Sequence, residues 1–324
     1  MQSLSVPTYN LTKEFSFTDR WYSVSNINAT SGDSIDREED FSHLLTKATA
    51  RQLKGDIEEA IVLASKALAI QKKLASNELR GAEEIADTLL FLGKLHQLNA
   101  SIDNAVEAFA ESRDLYKHQL EVNHKDSPSV SNRLHRKELV ALSHLASAKG
   151  RLLQQGESRQ GSFSTIEAEF QEALEGLSEL SGWEDGMTNH TAHEWALYYK
   201  NVKNDPQKAL GILSNMKEEL SQVFGGDDER VLQLNGEMAQ LWRMISMTKE
   251  TDTIERNNSV PMDVIVTSSS SPSSSPDKAM AEKNAMALLE EALDALPPNS
   301  PEARRIFMQL EEWKESQEES DRSV

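Results

Sequence analysis

The chain of 324 residues contains no cysteine. Disulfide staples, thiol nucleophiles and cysteine-ligated zinc are thereby excluded, and the absence is compatible with a reducing compartment. Basic residues are scarce: 34 Lys and Arg stand against 53 Asp and Glu, a formal charge of −19. A field of that sign repels phosphate backbones and anionic lipid, so neither nucleic acid nor a membrane surface is the expected partner. No apolar run reaches the roughly 18–20 residues of a membrane span. The opening MQSLSVPTYNLTKEFSF lacks a basic segment followed by an apolar core, and Glu14 and Asp19 argue against a transit peptide. A cytoplasmic protein is expected, with the nucleus as the alternative. There is no Gly-rich phosphate loop; Gly225-Gly226 is a lone turn pair.

What is present is helical spacing, repeated. Residues 1–38 are polar and rich in Ser, Thr and Asn, and read as a disordered tail in which Trp21 and Tyr22 stand out. From Phe41 onward apolar residues fall on i, i+3, i+4 and i+7 rows: Leu44 and Ala48, then Ala60, Ile61, Ala64, Ala67 and Leu68. Gly55-Asp56 breaks the pattern and predicts an αα-hairpin. A second copy spans Ile85 to Leu120, with Leu89, Leu92 and Gly93 on its first helix and Ala105 and Phe109 on its second. A third spans Arg136 to Leu180; its register is open between Leu145-Ala146 and Ala148-Lys149, and Gly156 to Ser164 lengthens its turn. A fourth runs from His190 to Leu220, with Trp195, Leu197, Ala209 and Leu213 inward and Asp205-Pro206 opening its second helix.

The fifth copy is split. Its first helix runs from Glu229 to Met247, and its second from Asp277 to Leu296, ending at Pro297-Pro298. Between them, 249–276 reads as a disordered insertion carrying the run from Ser268 to Pro276. Within it Asp263 to Val266 is β-prone, and Ser271-Pro272 and Ser275-Pro276 have the form of phosphorylation sites. Ser300-Pro301-Glu302 then opens a last helix, to Ser316, amphipathic through Ile306, Leu310 and Trp313. It should cap the stack, leaving 317–324 as a frayed tail. Exposure of those three residues would instead mark an edge for packing in a larger complex.

Residues Leu89, Leu92, Gly93, Ala105 and Phe109, then Asp56, Ala60 and Ala67, then Ala285, Leu289, Ala292 and Pro297, match tetratricopeptide (TPR) grammar. Ala60, Ala105, Ile166, Ala209 and Ala285 are 45, 61, 43 and 76 residues apart. The shorter spacings exceed the usual period of about 34. The repeats resemble the long ones of kinesin light chains, as does VFGGDDERVLQLNGEMAQLWR from Val223 to Arg243. The resemblance covers about 41–297 and implies an all-α, right-handed α-solenoid of about five TPR-like hairpins plus a C-terminal capping helix, over 39–316. Residues 1–40 show no counterpart of the kinesin light chain heptad region, which argues against a motor subunit. The Lys-x-x-x-Asn pair of chaperone-binding TPR domains is also missing, although Lys47, Arg51 and Lys94 are nearby cations.

The resemblance implies a non-enzymatic interaction adaptor that offers a groove to a partner protein or peptide. The alternatives are a structural subunit packing edge to edge and an accessory domain of an enzyme system. TPR proteins use the first helix of each hairpin for binding, which by resemblance points to Gln52, Lys94, Gln97, Tyr198, Asn201 and Arg243. No acid, base or metal set converges in the sequence, so no catalytic residue, cofactor or metal is expected. The strongest contrary motif is HTAHE, with His190, His193 and Glu194. Its order differs from both H-E-x-x-H and H-x-x-E-H, and it reads as polar residues near a helix start. Glu58-Glu59 and Glu290-Glu291 read as solvated faces, and Trp195 and Trp242 as core.

Overall fold

A computed structural model describes residues 40–75, 81–122, 128–156, 162–258, 276–296 and 300–322. Among the described residues there are eleven α-helices and no strand. They pair as α1 (Phe41–Lys54) with α2 (Ile57–Ala75), α3 (Ala82–Leu98) with α4 (Ile102–Val122), and α5 (Pro128–Gln155) with α6 (Phe163–Ser181). Then come α7 (Gly186–Asn201) with α8 (Pro206–Phe224) and α9 (Glu229–Asn258) with α10 (Pro276–Ala295), followed by α11 (Pro301–Arg322). Each helix packs on the next, and α5 also packs directly on α7. The first helices of successive hairpins thus form one row, here called the A row.

Local chemistry sets the breaks. Gly55 takes φ 84°, a left-handed conformation that costs glycine little, and ends α1 with its N–H on the Gln52 carbonyl at 2.9 Å. The Asp205 carboxylate accepts from Lys208 N–H at 3.0 Å, with Pro206 in the first turn of α8. Ser300 Oγ accepts from Ala303 N–H at 3.0 Å and opens α11. Asp185 caps α7, so that helix begins at Gly186 rather than at His190.

Several helices outrun their sequence boundaries. Helix α5 begins at Pro128, ahead of Arg136. Helix α9 continues to Asn258, beyond Met247 and into the stretch read as insertion. The reason is visible in KETDTIERNN, which holds no Gly or Pro to stop it. Helix α11 likewise passes Ser316 and reaches Arg322, through most of the segment read as frayed. The N-terminal tail with Trp21 and Tyr22, residues 259–275 and the Ser271-Pro272 site lie outside the described residues.

The core runs along the stack. The five aligned positions Ala60, Ala105, Ile166, Ala209 and Ala285 are each 0% exposed. Phe109 and Phe170 fill the second and third hairpins, each worth about 1.5–3 kcal/mol for removing such a side chain from water. Both first positions open for the third register, Leu145 and Ala148, are buried. Ala146 shares a cluster with Ile166 and Phe170 of its own hairpin, while Leu145 and Ala148 pack with Ala105 and Phe109 of the preceding one. Leu92 stands in the same relation to Ala60 and Ala64. At the C-terminal end Ile306, Leu310 and Trp313 are 6%, 4% and 7% exposed and cover Ala285, Leu289 and Ala292 of α10. Their burial is the mark of capping, not of an open edge.

Candidate functional site

Charged side chains stitch the A row together. Lys137 Nζ reaches Glu83 and Asp87 of α3, each at 2.8 Å, and Arg133 also bonds Glu83. Arg136 holds the capping Asp185 of α7 at 2.6 Å. Further along, Ser147 donates to Glu194, and Arg151 reaches the same carboxylate at 3.3 Å. His193 Nε2 meets Glu237 of α9 at 2.8 Å.

The HTAHE segment therefore lies at the centre of this row. His190 and His193 do not converge: the His190 ring faces His144 at 5.5 Å, while His193 turns to Glu237. Among the described residues no group of three His, Asp or Glu is placed to hold a metal ion. The His144 ring in turn stacks on Phe109 at 5.3 Å and 17°. Three helices, α4, α5 and α7, thus contribute to one aromatic file that ends beside Glu194.

Electrostatics sharpen the picture. Lys94 has its pKa pushed down to about 8 by burial. It has no ion-pair or hydrogen-bond partner among the described residues. His144 is held well below the usual histidine value by burial, and by the charges of Lys94, His190 and Arg151. His190 is exposed, yet the protein atoms around it lower its pKa too, against an upward pull from Glu194. Burial opposes the charge of Glu194, but His190, Arg151 and the Ser147 hydroxyl outweigh it and hold the carboxyl below its ordinary value. At neutral pH the row presents charged Lys94, neutral His144 and His190, and a Glu194–Arg151 pair.

The residues read from the sequence as contacts divide. Gln52 and Gln97 are half-buried on α1 and α3, and Asn201 is exposed at the end of α7. Lys94 sits in the row as described. Tyr198 does not face outward: it is 4% exposed, packs where a side chain on Gly150 would go, and donates its hydroxyl to the Phe163 carbonyl at 3.3 Å. Arg243 lies over the Trp313 ring at 5.8 Å and so contacts the capping helix. The sequence reading missed His144, Ser147 and Arg151, whose partners lie tens of residues away. Trp195 and Trp242 are half-buried against the main cluster, as core residues at its margin. Glu58, Glu59, Glu290 and Glu291 are exposed.

No family model and no curated protein matches this sequence. Among solved structures, the chain is similar to a kinesin light chain-like protein of P. anserina with nearly identical TPR-like repeats. The TM-score is 0.49 at 17% identity, covering 67% of this chain and 92% of that one. It is also similar to BtubC (BKLC) of P. vanneervenii, with TM-score 0.41, 15% identity and 81% and 92% of the two chains. A third similar structure is the S. pombe nuclear import adaptor Nro1, with TM-score 0.32, 14% identity and 84% and 97% covered. The fold is a TPR-like helical solenoid, its helices α1 to α11 packed consecutively among the described residues.

Proposed function

We propose that this chain is a non-enzymatic adaptor that presents its A row as a groove to an extended segment of a partner protein. The observation that carries this reading is the polar file from Lys94 through His144 and His190 to Glu194, built from three hairpins and left with an unpaired cation. A fold held together for its own sake would fill such a face with apolar side chains or neutral pairs. The edge-packing alternative draws less support, because the apolar side of α11 is consumed by the stack. A cytoplasmic location, with the nucleus as alternative, belongs to the same reading; among the described residues no helix is long and apolar enough to cross a membrane.

Site-specific photo-crosslinking tests it. A crosslinker at Asn201, on the A row, should capture a discrete partner from extract of the source cells. The same group at Lys66, exposed on α2, should not. Equal capture from both positions, or none from Asn201, would count against the groove.

A further inference from the structure

We infer that residues 15–22, ahead of α1, cap the open N-terminal end of the stack by laying aromatic side chains on the stripe Leu63, Ile70 and Leu74 of α2. This surface is separate from the A row. The three residues are spaced i, i+7 and i+11, which puts them on one side of the helix. Lys72 fixes which side. Its Nζ bonds Glu111 of α4 at 2.7 Å, so it marks the flank of α2 that faces the next hairpin. At 3.6 residues per turn, Leu63, Ile70 and Leu74 lie about 160–180° around the helix from Lys72, on the flank turned to the open end. Leu63 packs against the cluster of Ala48, Ala60 and Ala64. Ile70 and Leu74 lie where α1 gives out. Counted from the Gly55-Asp56 turn, α1 has 14 residues and α2 has 19, so α2 overruns its partner by about 7 Å. Ile70 is half-buried there and Leu74 is 53% exposed.

The two ends of the stack differ. At the C-terminal end Ile306, Leu310 and Trp313 of α11 cover α10, whereas among the described residues no helix precedes α1. A bare solenoid end exposes the apolar side that every inner hairpin buries, and a terminal cap removes that cost. The chain ahead of α1 is placed to supply the cap. It enters at Asp40, the N-cap of α1, beside the overrun of α2. It carries Phe15, Phe17, Trp21 and Tyr22 within eight residues, although polar segments of its kind are usually poor in aromatics. The link is long enough: the 17 residues between Tyr22 and Asp40 span roughly 20–25 Å as a coil, against about 28 Å for the whole of α2. Tethering gives such a segment an effective concentration on the order of millimolar at this surface. A second copy has no such advantage, and a formal charge of −19 on each molecule opposes its approach.

Hydrogen exchange of the full chain tests the cap. Trp21→Ser combined with Tyr22→Ser changes no residue of the described helices, so the stack itself still folds. Amides of α1 and α2 should exchange about tenfold faster in this variant, while those of α10 and α11 keep their rates. Leu74→Gln preserves helix propensity and would be neutral on a bare surface. Under a cap it should give the same acceleration of α1 and α2. Combining the tail changes with Leu74→Gln should add little, because both remove one contact. Unchanged exchange in the Trp21 and Tyr22 variant, or additive losses, would overturn the cap. Protection of α1 and α2 that rises with protein concentration between about 2 and 50 µM would also overturn it, by making a second copy the occupant.

Discussion

The ring of Phe109 occupies the space that any side chain on Gly93 would need. A Cβ at Gly93 would stand 2.4 Å from Phe109 Cε1 and 2.6 Å from Cδ1. Helices α3 and α4 approach this closely only because position 93 has no side chain. Gly93→Ala should therefore destabilise the stack by about 1–3 kcal/mol, although alanine favours the helix by about 1 kcal/mol. Phe109→Leu should relieve part of the clash, so the double variant should cost less than the two single changes added. Additive losses in urea unfolding would show that the contact is not the cause.

Lys94 predicts a rise in stability at high pH. Its folded pKa of about 8 lies below the usual 10.5, so the unfolded chain holds the proton more tightly. Below pH 8 the full cost of the enclosed charge is present, and stability rises between pH 8 and 10.5 as that cost is relieved. Lys94→Met should raise stability at pH 7 by on the order of 1–3 kcal/mol. A melting temperature that falls on this substitution would mean that Lys94 is satisfied within the fold.

His144 governs the acid side. Its folded pKa is depressed, so the unfolded chain gains a proton first as pH falls, and stability declines below the ordinary histidine value of 6.5. Lys94, Arg151, His190 and His193 face it or its neighbour, and all oppose added positive charge; Glu194, itself held below 4.5, remains ionised through that window. His144→Leu should flatten the loss between pH 6.5 and 5, read by denaturant midpoints. An unchanged slope would place the acid sensitivity elsewhere.

Leu310 tests the role of α11. It is 4% exposed against α10, and Leu310→Asp would bury a carboxylate there. In a quasi-linear stack the damage should stay local. Hydrogen exchange should accelerate in α10 and α11 while α3 and α4 remain protected. Uniform acceleration along the chain would show a single cooperative unit instead.

The local signals were the legible part of the sequence. Gly55-Asp56, Asp205-Pro206 and Ser300-Pro301 each act through their own backbone, so their meaning does not depend on what folds against them. The alanine positions were legible because close helix approach demands small residues wherever it occurs. The site was not, for two reasons. Its contacts join distant residues: Ser147 and Glu194 are 47 apart, His193 and Glu237 are 44 apart, and nothing local marks either pair. Facing is also unforgiving, since one residue turns a helix by roughly 100°. Tyr198 was read onto the open face and instead plugs the gap beside Gly150, whereas its neighbour Leu197 is the more accessible of the two.

The sequential packing of α1 to α11 has a mechanical consequence. Substantial contact joins helices adjacent in the chain, with α5 on α7 the main exception. Tension applied between the two ends would be carried by these interfaces in series, each bearing the whole load. The molecule should act as a spring that pays out hairpin by hairpin in a force–extension trace. The segment bridged by Arg136–Asp185 and Arg151–Glu194, around the aromatic file, should be among the last to yield.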